Sequence, residues 1–177
     1  MRKSPKRAVL QRHNFKKWLS KFNKSGGKKT SIASLRKLKH IVLDTNTLFS
    51  CLIKESSITR QNIFSQTEAT LHVCKFSIIE LFRHKEKILK YTELPEEELL
   101  EVYYKVLKKV NIFDEAFLSV ESLEQAISLC KDIDEKDAIF VAVTLELDGV
   151  LWTGDLKLKE GLAEKGFTKF YTPTPVQ

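Results

Sequence analysis

Glycine and proline are scarce in this chain, 6 and 4 among 177 residues, and with 42% hydrophobic and 30% charged residues the composition is that of a soluble globular protein. That length holds one core of ordinary size and is too short for two full domains and a linker. No uninterrupted apolar run approaches the ~20 residues that cross a bilayer, so no membrane partner is expected. The basic N-terminus lacks both an apolar stretch and a small-residue cleavage site, which argues against a secretory signal. Cysteine is limited to Cys51, Cys74 and Cys130. An odd, widely spaced set excludes a disulfide framework and a paired-cysteine metal site. Each lies among apolar neighbours, so buried free thiols in a reducing cytoplasm are expected.

Acid is absent from one end. Residues 1–40 carry 14 Lys or Arg and no Asp or Glu, a balance of +14; residues 41–177 hold the other 16 cations and all 23 acids, a balance of −7. The net +7 therefore hides an acidic body, 40–177, behind a basic arm, 1–39. An all-cationic segment is attracted to polyanions and acidic surfaces. In the arm Phe15, Trp18, Leu19 and Phe22 fall at helical spacing, which predicts either a short amphipathic helix over about 7–22 or a solvated tail. Ser25-Gly26-Gly27 reads as a break.

The body alternates between strand and helix patterns. His40–Leu43, Thr70–Cys74, Val110–Phe113 and Val150–Thr153 are short apolar runs that predict buried strands, with Lys169–Tyr171 as a further edge strand. Between them helices are predicted over about 47–54, 57–68, 77–89, 95–109, 122–130, 134–147 and 155–165. Pro95 with three glutamates suits a helix start, Lys108 and Lys109 a helix end. Asp148-Gly149 and Gly166 are stops. No internal repeat is visible. The expected fold class is α/β, a parallel sheet covered on both faces.

Placement singles out four acids. In open parallel sheets, ligands sit outside the carboxyl ends of the strands. Asp44 directly follows the first strand and Asp155 the Val150–Thr153 strand; Asp137 lies in the first turn of a helix on that rim, and Glu80 in the helix after the second strand. Singly, Asp44 and Asp155 also read as helix caps, Glu80 as a solvent-facing residue, and Asp134 and Asp137 as acids favoured by a helix dipole. Together, crowded carboxylates stay ionised only with a cation among them. A hard divalent ion with oxygen ligands, Mg²⁺ or Mn²⁺, is the expected cofactor, and its chemistry on a phosphodiester is in-line displacement by water. No Ser–His or Cys–His nucleophile is apparent.

Leu43-Asp44-Thr45-Asn46, Ile79-Glu80-Leu81 with Arg83-His84-Lys85, Asp134-Glu135-Lys136-Asp137-Ala138 and Leu151-Trp152-Thr153-Gly154-Asp155 resemble, in order and spacing, the motifs of the PIN-domain ribonucleases, over about residues 40–172. The resemblance implies a Rossmann-like three-layer α/β/α sandwich with a mainly parallel sheet, and a metal-dependent endoribonuclease binding Mg²⁺ or Mn²⁺. It assigns Asp44, Glu80, Asp137 and Asp155 as catalytic and metal-binding, Asp134 as an accessory metal acid, and Asn46 and Thr153 as polar residues orienting the first aspartate and substrate. Arg83, His84 and Lys85 become candidate phosphate contacts, with His84 one turn beyond Glu80 on its helical face. RNA is the implied partner. A toxin role adds a protein antitoxin and a homodimer, although a 39-residue arm departs from the compact toxin pattern.

The competing class is a catalytically inactive PIN-like module that binds nucleic acid or protein through its arm. An aspartyl phosphatase is disfavoured because the position two beyond Asp44 is Asn46 rather than an acid. A flap-endonuclease-like activity on DNA shares the metal chemistry. Phe76, Phe82, Phe140 and Trp152 occupy core-like positions, so packing rather than base stacking is expected of them.

Overall fold

The computed structural model describes residues 39–54 and 56–175. The arm, with its predicted amphipathic helix, lies outside the described residues.

The described chain forms four strands and eight α-helices. Strand β1 (Lys39–Leu43) is followed by α1 (Thr45–Ile53) and α2 (Ile58–Ser65), then β2 (Ala69–Cys74), α3 (Lys75–Arg83), α4 (Lys85–Tyr91) and α5 (Glu96–Lys109). Then come β3 (Val110–Phe113), a 3-10 turn (Glu115–Phe117), α6 (Val120–Cys130), a second 3-10 turn (Glu135–Asp137), α7 (Ala138–Glu146), β4 (Val150–Trp152) and α8 (Leu156–Glu164).

The sheet order is β3-β2-β1-β4, every pairing parallel, with Val42 opposite His72 on one side and Leu151 on the other. The chain steps outward from β1 to β3 and then returns to the far side of β1. Right-handed crossovers going in opposite directions put their helices on opposite faces. The cores follow this rule. Ile41, Leu43, Leu71 and Val73 pack under Leu48 and Leu52 of α1, Ile63 of α2, Leu81 of α3, Ile88 of α4 and Val106 of α5. Val42, Cys74 and Leu151 pack under Ala126 of α6, Phe140–Val143 of α7 and Leu158 and Leu162 of α8. Both faces are covered, giving the expected three-layer α/β/α sandwich with an all-parallel sheet and explaining why the strands read as apolar runs. Helix α7 is apolar on all sides (Ile139-Phe140-Val141-Ala142-Val143) because it sits centrally on its face.

Three local expectations need correction. The helix predicted over 77–89 is two, because His84 leaves helical geometry (φ −101°, ψ 19°) and ends α3. Its N–H still bonds Glu80 O at 2.9 Å. Ser77, Leu81 and Ile88 stay buried across the break, so apolar periodicity does not register it. Residues 169–171 form a single parallel bridge, Leu151 to Phe170, rather than a strand. The residues expected as core aromatics divide: Phe140 and Trp152 are buried, whereas Phe76 is 37% and Phe82 79% exposed. All three cysteines are buried and free. At Gly149 an added Cβ would stand 2.7 Å from the His40 carbonyl oxygen, so only glycine lets the turn after α7 pass the start of β1. Among the described residues, no helix is long and apolar enough to cross a membrane.

Candidate metal centre

The reversal of strand order falls between β1 and β4, the crevice where open α/β sheets take their ligands. Asp44 and Asp155 stand at its two sides. Asp44 leaves β1 in extended geometry and caps α1, its Oδ1 accepting the Thr47 N–H at 2.6 Å. Its own N–H bonds the Trp152 carbonyl at 3.2 Å, and Thr47 Oγ1 donates to the same carbonyl at 3.1 Å. Asp155 caps α8 through Oδ1, which accepts the Leu158 N–H at 3.0 Å. Buried Thr153 lies between them: its Oγ1 accepts the Asp155 N–H at 3.0 Å, and its hydroxyl is near enough to the Asp44 carboxyl to favour the ionised form. Each aspartate therefore commits one oxygen, Oδ1, to its own helix. Capping and ligand binding are not alternatives here, since the second oxygen of each remains.

Glu80, half-buried on α3, accepts the Thr45 hydroxyl at 2.7 Å; Thr45 Oγ1 also lies 3.1 Å from Ser77 Oγ. Asp137 closes the second 3-10 turn and leads into α7 without a cap bond of its own. Asp44, Asp137 and Asp155 thus sit at the N-termini of three helices, where aligned N–H groups favour negative charge.

That help does not balance the crowding. The Asp137 carboxyl is pushed up from 3.8 to about 6, first by burial and then by the charges of Asp134, Asp44, Asp155 and Glu80. Asp44, buried to 3% exposure, is likewise raised, chiefly by burial and further by Asp155, against the lowering influence of the nearby Thr153 hydroxyl and of Thr47. Four carboxylates from separate segments, with Asp134 beside them, therefore share one electrostatic neighbourhood around Asp137.

Among the described residues no three His, Cys, Asp or Glu side chains enclose a space ready for an ion as they lie. An all-protein cage is not what Mg²⁺ asks for: it takes one or two carboxylates and completes its octahedron with water and phosphate. The donor set is hard oxygen throughout, and the unbalanced negative charge on Asp137 is what a divalent cation would relieve. The residues fit such an ion.

The remaining candidates are exposed or otherwise engaged. Asp134 is exposed and caps the 3-10 turn through a bond from Lys136 N at 2.9 Å. Asn46 is exposed, and no hydrogen bond joins its side chain to Asp44. Arg83 is exposed in the last turn of α3. His84 is at the helix break, not on a continuing face with Glu80. Lys85 Nζ stands 2.8 Å from Glu96 Oε1, already paired. Sequence reasoning missed Thr45, Thr47 and Ser77 as partners of the acids. The signal was in the opening motif, whose threonines at 45 and 47 occupy the first turn of the helix that Asp44 caps.

The sequence matches the family model described as "PIN domain" over residues 42–171. No curated protein matches it. Among solved structures it resembles the crystal structure of PAE2754 from Pyrobaculum aerophilum, with 14% sequence identity and a TM-score of 0.49, over 76% of this chain and 88% of that one.

Proposed function

The chain belongs to the PIN-domain family, whose members are in general nucleases that use divalent metals, and on that premise we propose that it is a metal-dependent endoribonuclease. One observation carries the proposal: Asp44 and Asp155 end the two strands that flank the strand-order reversal and cap the helices that follow, and their charges and that of Glu80 bear on Asp137 at the start of α7.

Asp44 and Asp155 would hold the ion directly, with Glu80 and Asp137 completing the negative surface around it. When bound, Mg²⁺ or Mn²⁺ supplies Lewis-acid neutralisation of the charge that builds on the phosphodiester. The chain's own residues do the positioning. The α1 and α8 caps fix the two aspartates, Thr153 braces the Asp155 backbone, and Thr45 holds Glu80. Glu80 and Asp137 are the acceptors left to orient a water toward phosphorus. RNA is the partner proposed for this chemistry, and the three buried thiols suit a reducing cytoplasm. A toxin role would add a protein antitoxin, and a homodimer a second copy; the chemistry needs neither.

The experiment is cleavage of a generic RNA by the purified chain with Mn²⁺ and with chelator. Cleavage with Mn²⁺ alone is expected, and an Asp44→Asn, Asp155→Asn double variant should lack it. A double variant that cuts as fast as the parent would show the site to be misassigned.

A further inference from the structure

Beside the acids lies an apolar cleft that packing does not explain. It has a volume of about 510 Å³ and is lined by Lys75, Phe76, Ile79, Glu115, Lys136 and Ile139. Phe76 and Ile79 are 37% and 43% exposed although α3 has a well-packed inner side, Ser77 and Leu81. Surface Phe and Ile side by side on a nine-residue helix are apolar area left in water.

Its position is tied to the acids residue by residue. Phe76 stands one helical turn before Glu80 on the same face of α3, and Ile79 adjoins Glu80 in the chain. Lys136 immediately precedes Asp137, and Ile139 follows two residues later in the first turn of α7. One wall thus shares its helix with Glu80 and the other its turn with Asp137. Whatever occupies the cleft is a near neighbour of whatever the acids act on.

The charges select the occupant. Lys75 is offset by Asp114 at 3.4 Å, and Glu115 is engaged by the Phe76 N–H at 2.7 Å. Lys136 is exposed and pairs with no acid among the described residues. The cleft is therefore apolar and close to neutral, with the Glu115 carboxylate held at the α3 N-terminus on one wall and the Lys136 cation on the other. A flat uncharged ring joined to an anionic backbone fits that pattern. A base in a duplex cannot reach such a surface, because its faces are already stacked.

We propose that this cleft is a nucleobase subsite: Phe76 stacks an unpaired base of single-stranded RNA next to the scissile phosphate, Ile79 and Ile139 flank the ring, and Lys136 meets the adjoining phosphate. The subsite rests on the nuclease reading and adds to it a requirement for unpaired RNA.

The test uses the full chain without divalent metal, in high salt to screen the ionic contribution of residues 1–40. The probe is an oligoribonucleotide carrying one 2-aminopurine, whose fluorescence is quenched on stacking. Phe76→Ala is expected to weaken single-strand binding roughly 5- to 150-fold and remove the quench. Phe76→Tyr should retain both, and Ile79→Ala should weaken binding to a smaller degree. Binding of the matching duplex should be unchanged by all three. Single-strand affinity of Phe76→Ala within twofold of the parent, a loss equal on duplex, or no single-strand binding by the parent would each overturn the subsite. Mn²⁺-dependent cleavage by the parent, measured in parallel, separates the two ideas. Cleavage with Phe76-insensitive binding sinks the subsite alone, whereas no cleavage with Phe76-sensitive binding sinks the nuclease reading alone.

Discussion

The two ends of the sheet hold similar problems and solve them differently. At the amino end of β1, His40 Nδ1 lies 2.9 Å from Nε2 of His72 in the middle of β2, like groups crowded on neighbouring strands. Burial, and then His40, push the His72 ring down from 6.5 to about 4. At neutral pH that ring is uncharged, one nitrogen donates to the other, and the conflict is gone. At the carboxyl end the crowded groups are acids, and even the Asp137 carboxyl, raised to about 6, is largely ionised at neutral pH. Helix N-termini soften this repulsion without removing it. The amino end is satisfied as it stands, and the carboxyl end keeps a repulsion that a cation would relieve. An unresolved electrostatic conflict at a strand-order reversal marks a functional site better than shifted ionisation alone.

The sharpest way to break the comparison is to remove acids from the carboxyl end. Asp44→Asn or Asp155→Asn should each lower Mn²⁺-dependent RNA cleavage by roughly 100-fold or more, as loss of a direct ligand to the ion would. Circular dichroism should show the fold intact, since an amide oxygen still caps the helix. Equal rates for parent and variants would refute the assignment.

Thr153→Val comes next. The change keeps side-chain volume but removes the hydroxyl that accepts the Asp155 N–H and favours the ionised Asp44 carboxyl. A loss in rate of roughly 10- to 100-fold is expected, the usual cost of an outer partner of a metal site. A variant as active as the parent would mean the two aspartates hold their places without it.

Stability against pH sharpens the contrast. Asp137 holds its proton more tightly folded (about 6) than at its ordinary 3.8, so its contribution is fully present below 3.8 and lost as pH rises through 6. Asp137→Asn should therefore stabilise the metal-free protein by about 1–3 kcal/mol at neutral pH, with the gain fading toward pH 4. His72 runs the other way. Its ring resists protonation when folded, so its contribution is present above 6.5 and lost as pH falls toward 4. In Asp137→Asn protein, denaturant melts should then show acid destabilisation of roughly 1–2 kcal/mol over that range, absent when His72→Leu is added. An acid limb that persists in the double variant would assign it to other groups.

Much of this was legible because strand ends are marked in sequence. Apolar runs stop at a carboxylate after Leu43, and a Thr-Gly step separates Trp152 from Asp155, so the sequence alone points to a parallel sheet and to acids at its carboxyl rim. Side-chain partnership was not. Thr45 bonding Glu80 joins residues 35 positions apart, which no local pattern encodes. The break at His84 is one residue wide and leaves the apolar period intact. Phe76 and Phe82 look like core because periodicity counts apolar residues on a helix; it does not say whether a face has anything to pack against.

The measurement closest to the central claim is thermal melting of the full chain with and without Mn²⁺. The melting temperature should rise with the ion, because relief of the carboxylate crowding stabilises the folded state. The rise should vanish in the Asp44→Asn, Asp155→Asn double variant. No shift in the parent, or the same shift in the double variant, would contradict a shared cation at the carboxyl end of the sheet.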